Sequence, residues 1–147
     1  MKPVKFITKE EILLGGFHVG AEKEGENHWA RFETQKEPLT NAVDDTGFEV
    51  RMYPADGEKI FTGVQVTGRD ILPTYELLAV PTARYAVFDI NCKKKVDPQF
   101  EGIDKWLEKN KAAYTQRDWD GAPYVVCWYG RFNAEKVFEM WIPLVSK

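Results

Sequence analysis

The stretch VFEMWIPL, Val137 to Leu144, sets one carboxylate, Glu139, between Phe138 and Met140 in the most apolar run near the C-terminus. Successive side chains of a strand point to opposite faces, so Glu139 shares a face with Val137, Trp141 and Pro143, and Phe138, Met140 and Ile142 share the other. A solvated face would put polar residues at Val137 and Trp141 as well. A carboxylate among apolar neighbours either protonates or takes a charged partner, because leaving water costs it several kcal/mol. The plainer alternative makes Glu139 the polar tooth of a half-solvated strand.

Aromatic residues are the second chemical resource. Five Trp, six Tyr and nine Phe make 14% of the chain, more than a core of this size needs, and such rings commonly line ligand pockets. Trp141 shares the Glu139 face and is the best candidate wall. Tyr53 and Tyr129 sit at the ends of matched strands and either face a groove or serve as ordinary amphipathic strand-end tyrosines. Trp29 is most simply a core residue that could close one end of a groove, and Tyr85 is open between core and pocket. Trp128, Tyr124 and Trp106 read as core.

Sharper chemistries fall away. The only serine, Ser146, lies in the C-terminal tail, which leaves no serine nucleophile in a formed site. His18 and His28 show no metal-ligand spacing with Cys92 and Cys127, and no glycine-rich phosphate loop is present, so no catalytic residue, metal site or cofactor is assigned. The two cysteines read as reduced thiols in a chain too large to need stapling.

The elements that must position these residues follow from pattern. Glu11 to Val19 reads as a strand with a bulge at Gly15-Gly16, and Asn27 as the cap of a helix carrying Trp29, Phe32 and Lys36 that stops near Pro38. Phe48 to Tyr53 and Lys59 to Val66 form a hairpin around Pro54 to Gly57. Glu76 to Val80 and Arg84 to Asn91 are strands; Asp97-Pro98 supplies an N-cap and a first-turn proline to a helix bearing Phe100, Ile103, Trp106 and Leu107. Tyr124 to Tyr129 and Lys136 to Leu144 close the chain as a second hairpin.

The two hairpins align: Phe48 with Tyr124, Tyr53 with Tyr129 and, after a one-residue difference in the turn, Glu58-Lys59 with Glu135-Lys136, which sets Thr62 opposite Glu139. A strand, helix, strand, strand unit used twice predicts an α+β fold: two pseudo-symmetric repeats forming antiparallel sheet, helices on one face and a central groove where a ligand can bind. At 147 residues and 44% hydrophobic content, the chain fits one domain, 1–147. A formal charge of −3 gives no positive field for a phosphate backbone, so nucleic acid is not an expected partner. The N-terminal MKPVKFITKEEILL has neither a signal-peptide core nor a membrane span, and the expected location is the cytoplasm, away from the membrane.

GFHVG followed by NHWARF, the Gly47 to Val66 hairpin, VPTARYAVF, the Phe100 to Trp106 helix and FEMWIP together resemble the GyrI-like effector-binding family, the ligand-sensing domain of AraC- and MerR-type multidrug regulators. The resemblance implies a two-repeat fold with a central cavity whose acidic residue on the last strand, Glu139 here, meets lipophilic cations. No helix-turn-helix fits before Glu11, so the chain resembles stand-alone members of the kind carried on integron gene cassettes. The expected function is binding of aromatic or lipophilic cations for drug sensing or sequestration, with Glu139 as counter-charge and Trp141, Tyr53, Tyr129, Tyr85 and Trp29 around it. Weakly hydrated cations suit such a site, since each good cation–π contact adds roughly 0.5–2 kcal/mol. The alternative is a hydrolase of strained electrophiles, similar in fold to some proteins of this family, using Glu139 as base and Tyr53 or Tyr129 to polarise the leaving atom.

Overall fold

The computed structural model describes residues 1–20 and 27–147. Among these described residues, ten strands and two helices run in the order β1 (Lys5–Lys9), β2 (Ile12–Val19), α1 (Ala30–Glu33), β3 (Ala42–Met52), β4 (Lys59–Val66), β5 (Glu76–Val80), β6 (Ala83–Asn91), α2 (Asp97–Lys109), β7 (Tyr114–Gln116), β8 (Asp118–Trp119), β9 (Ala122–Trp128) and β10 (Val137–Ser146). The architecture is α+β. Eight strands lie in one antiparallel sheet ordered β1-β6-β10-β9-β3-β4-β2-β5, with β7 on β10 and β8 on β9.

Two repeats are visible in that order. The first gives β3-β4-β2, the second β9-β10-β6, and they meet where β3 pairs β9 with Val50 opposite Val126. The strand before each repeat is lent to the other: β1 pairs β6, and β5 pairs β2. Two residues alone join β1 to β2 and β5 to β6. Val80 and Ala83 therefore lie within about 11 Å, three virtual bonds of 3.8 Å. Six strand spacings of a flat sheet would hold their strands about 29 Å apart. The sheet must curl until its edges approach. Val50, Val126, Tyr85 and Tyr124 accordingly have no exposure although neither helix of the described residues joins their cluster; they form the interior of the curl with Leu14, Phe48 and Trp141.

The helices pack on the outer face. Ile103, Phe100, Trp106 and Leu107 of α2 join Val125, Cys127, Phe138, Met140 and Ile142 in a second cluster. On the first repeat Phe32 of α1 packs edge-on to Phe17 of β2, ring centroids 6.5 Å apart.

Four local expectations need correction. Gly15-Gly16 makes no bulge: β2 keeps continuous register with β4, and a Cβ on Gly16 would stand 1.9 Å from the Thr62 carbonyl oxygen, so glycine is there for the close passage of two backbones. Helix α1 is capped by Trp29 and not by Asn27, and it ends at Glu33, before Lys36 and well before Pro38; that proline has no N–H to offer Thr34 and biases Glu37 out of the helix. Asp97 is the first residue of α2 and not its cap, lending its charge to the positive helix end. Finally, Thr62 and Glu139 are not equivalent. Thr62 stands opposite Glu49, while Glu139 stands opposite Trp128. With Glu49 matched to Val125, the partner of Val125 would be Ile142, three residues beyond Glu139. The turn between β9 and β10 is longer than the sequence alignment allowed, and an odd slip sends a side chain to the other face.

Candidate functional site

The outer face carries the larger hollows. On β3, Glu49, Arg51 and Tyr53 alternate outward, the reverse of Phe48, Val50 and Met52, which join the interior cluster. On β9 and just past it, Val125, Cys127 and Tyr129 do the same. A cavity of about 690 Å³ on the α1 side is walled by Trp29, Phe32, Gly47, Glu49, Tyr129 and Phe132. A second, of about 460 Å³ on the α2 side, is lined by Arg51, Tyr53, Phe100, Leu107, Tyr129 and Met140. Tyr129 stands between them.

Glu49 anchors the first cavity and is 2% exposed. Its Oε1 accepts from Trp29 Nε1 at 2.6 Å and from the His28 ring at Nε2, and its Oε2 accepts from Arg51 Nε at 3.3 Å. The chain brings these groups together by simple means. Asn27 Oδ1 accepts the Trp29 amide at 2.9 Å, turning the chain into α1, and Gly47 lets the indole lie on β3, where a Cβ would come within 3.0 Å of the ring. Trp29 meets Tyr129 edge-on at 6.5 Å, and Tyr129 meets Phe132 at 5.4 Å. Burial pushes the Tyr129 hydroxyl far above its ordinary range, with Cys127 and Glu49 adding to the effect. Burial likewise pushes the Cys127 thiol up to about 12, reinforced by Glu49. Tyr53, at the rim of the α2-side cavity, is raised by burial and then by Glu58.

The rim charge is one-signed. Besides Glu49, the α1-side cavity is lined by Glu33 and Asp45, both exposed, and by no lysine or arginine among the described residues. Arg51 compensates Glu49 from the neighbouring cavity, which leaves two carboxylates at the mouth.

Glu139 lies on the other face, inside the curl, and is 4% exposed. Trp141 Nε1 donates to its Oε1 at 3.0 Å; Lys5 Nζ and Arg131 Nη2 approach Oε2 at 3.3 and 3.1 Å, and Arg131 also pairs with Asp89 at 2.5 Å. Its carboxylate is thus met from within. The hollow beside it is about 230 Å³. Of the residues singled out in the sequence, Trp29, Tyr53 and Tyr129 gather on the outer face, while Glu139, Trp141 and Tyr85 gather inside. Tyr85 is fully buried, 5.5 Å from Trp141 between ring centroids. Trp128 and Tyr124, read as core, share the face of Glu139: Trp128 pairs directly with Glu139 across the ladder, and both join the interior cluster. Sequence reasoning passed over Glu49, His28, Arg51 and Phe132 as site residues. The signal for Glu49 was available: like Glu139, it is a lone carboxylate between apolar residues, Phe48 and Val50.

Several solved structures share this fold. SAV2435, in a structure bound to tetraphenylphosphonium, is similar with a TM-score of 0.64 at 13% identity, over 96% of this chain and 93% of that one. The EcmrR C-terminal domain gives 0.64 at 10% identity over 97% of both chains. An integron cassette protein from the mobile metagenome of Vibrio cholerae gives 0.51 at 14% over 96% and 95%. No protein-family model and no curated protein matches the sequence. Among the described residues no helix is long and apolar enough to cross a membrane.

Proposed function

We propose that residues 1–147 act as one effector-binding domain in the cytoplasm, taking up aromatic or lipophilic cations in the α1-side cavity. Glu49, Glu33 and Asp45 set its negative potential, and Trp29, Phe32, Tyr129 and Phe132 form its walls. The observation that carries this reading is the lining itself: four aromatic rings, three carboxylates and no lysine or arginine among the described residues around about 690 Å³. A delocalised cation loses little hydration on entry, gains contact with the rings and sits in the field of the rim carboxylates. Glu49 is already hydrogen-bonded, so the guest gains from potential and ring faces and not from rescue of a stranded charge. Micromolar affinity requires about −8 kcal/mol, within reach of such contacts once association entropy is subtracted. The neighbour that holds a phosphonium cation supports the reading by fold alone.

The test is titration with a rhodamine-type dye followed by Trp fluorescence. Glu49→Gln should weaken binding at least tenfold, and Glu139→Gln should change it less than twofold; the reverse pattern would transfer the counter-charge to Glu139. Because Glu49 also organises His28 and Trp29, the double variant Glu33→Gln/Asp45→Asn provides a second measure, with an expected loss of three- to fivefold. Dye recovered unchanged after incubation separates binding from hydrolysis.

A further inference from the structure

The cavity on the α2 side exists because α2 is drawn toward one edge of the sheet. Trp106 packs against Phe88 of β6, ring centroids 5.6 Å apart, and against Phe6 of β1 and Tyr114 of β7, each at 6.1 Å. The opposite edge of the helix, Phe100 and Leu107, is left half-buried, facing about 460 Å³ of space over β9 and β3. The floor of that space is core material: Val125, Cys127, Phe138, Met140 and Ile142 line it, and none of these five is more than 9% exposed. Its charged wall is balanced. Arg51, a quarter exposed, lies 3.3 Å from Glu49 and 3.6 Å from Glu58. The one other charge of the lining among the described residues, Asp104, stands in solvent at the rim.

We infer that this cavity is a second ligand site, for neutral planar aromatic compounds, and it does not depend on cation binding beyond Tyr129. An ionic guest would give up hydration and meet no unbalanced counter-charge in the buried walls, whereas a neutral one gives up little. The Arg51 Nε–H that donates to Glu49 lies in the guanidinium plane, so that bond leaves the flat face of the group for stacking on a ring. The Met140 thioether adds a sulfur–aromatic contact from the floor. At about 30 Å³ per water, the space equals roughly fifteen waters, room for two or three fused rings. The two cavities thus sort guests by charge on either side of the Tyr129 ring.

The probes share one ring system: neutral 2-acetylnaphthalene, anionic 2-naphthoate and cationic 2-naphthylmethylammonium. Affinity is read from the Met140 methyl resonance of protein labelled at its methionine methyl groups, which keeps any cation bound beyond Tyr129 out of the measurement. The neutral compound should titrate that methyl at least tenfold more tightly than either ion. Leu107→Trp, at a half-exposed helix position, should fill the cavity and weaken the titration at least tenfold with circular dichroism unchanged, and Phe100→Ala should weaken it three- to fivefold by removing one wall. The ranking of the three probes is read on the wild-type protein and stands whether or not a variant folds. Equal titration by neutral and charged probes, no saturable shift of Met140, or a shift that survives in folded Leu107→Trp would each overturn the site.

Discussion

Glu49 and Glu139 stand on opposite faces of one sheet, each nearly out of reach of solvent and each already met by a cation from its own side. Arg51 meets the first; Lys5 and Arg131 meet the second. A buried carboxylate with its partners removed is costly, whereas half-exposed partners without their carboxylate simply return to water.

For Glu139 this asymmetry gives an ordered set of stabilities. The double variant Lys5→Met/Arg131→Met leaves the carboxylate with Trp141 alone and should lose about 3 kcal/mol in urea unfolding. Glu139→Gln by itself should lose about 1 kcal/mol. Adding Glu139→Gln to the double variant should restore most of its loss; no restoration would show that the lysine and arginine act through packing.

Gly16 and Gly63 pass so close that neither accepts a side chain. A Cβ on Gly63 would stand 2.4 Å from the Gly15 carbonyl oxygen, and one on Gly16 nearer still to Thr62. Gly16→Ala should therefore fail to fold or lose more than about 3 kcal/mol, since backbone, not a mobile side chain, is in the way. Gly68→Ala meets nothing within 4 Å and should be close to neutral, which thermal melts of the pair would show.

Alkaline stability should be set by buried phenols. Burial raises the hydroxyls of Tyr75, Tyr85, Tyr124 and Tyr129 above their ordinary value of 10.0. A group held higher in the folded state contributes stability that is complete below its unfolded value and is lost as pH rises toward its folded one. Unfolding should thus begin above pH 10, with tyrosinate absorbance rising together with loss of circular dichroism. Stepwise ionisation of these tyrosines in a still-folded protein would contradict the burial.

Ionic strength should separate rim from wall in cation binding. Glu33 and Asp45 are exposed and act through solvent, where screening sets in over about 10 Å at 0.1 M salt. Added salt should weaken dye binding several-fold in the wild type and much less in Glu33→Gln/Asp45→Asn, as fluorescence titration at two salt concentrations would reveal.

Alternation carried the sequence reading far, and its failures have definite causes. The faces of Phe48 to Tyr53 and of Val137 to Pro143 were legible because strand side chains alternate strictly. Which face of one strand joins which face of the next was not, because that depends on register, and the longer turn after Tyr129 shifted it. Glu139 and Tyr129 were for that reason expected in one groove. Strand β1 was invisible: KFITK is short, with adjacent Phe6 and Ile7 breaking any strict alternation, and its pairing with β6 is a contact across some eighty residues that no local pattern encodes. Short β7 and β8 likewise owe their existence to neighbours already in place.

The exchange of leading strands gives the two repeats a shared fate. Cleavage between Val66 and Glu76 would yield two fragments, each holding a ribbon that belongs to its counterpart and each missing one of its own. Such pieces would be poor proteins singly and a complementing pair together, so the two repeats depend on each other.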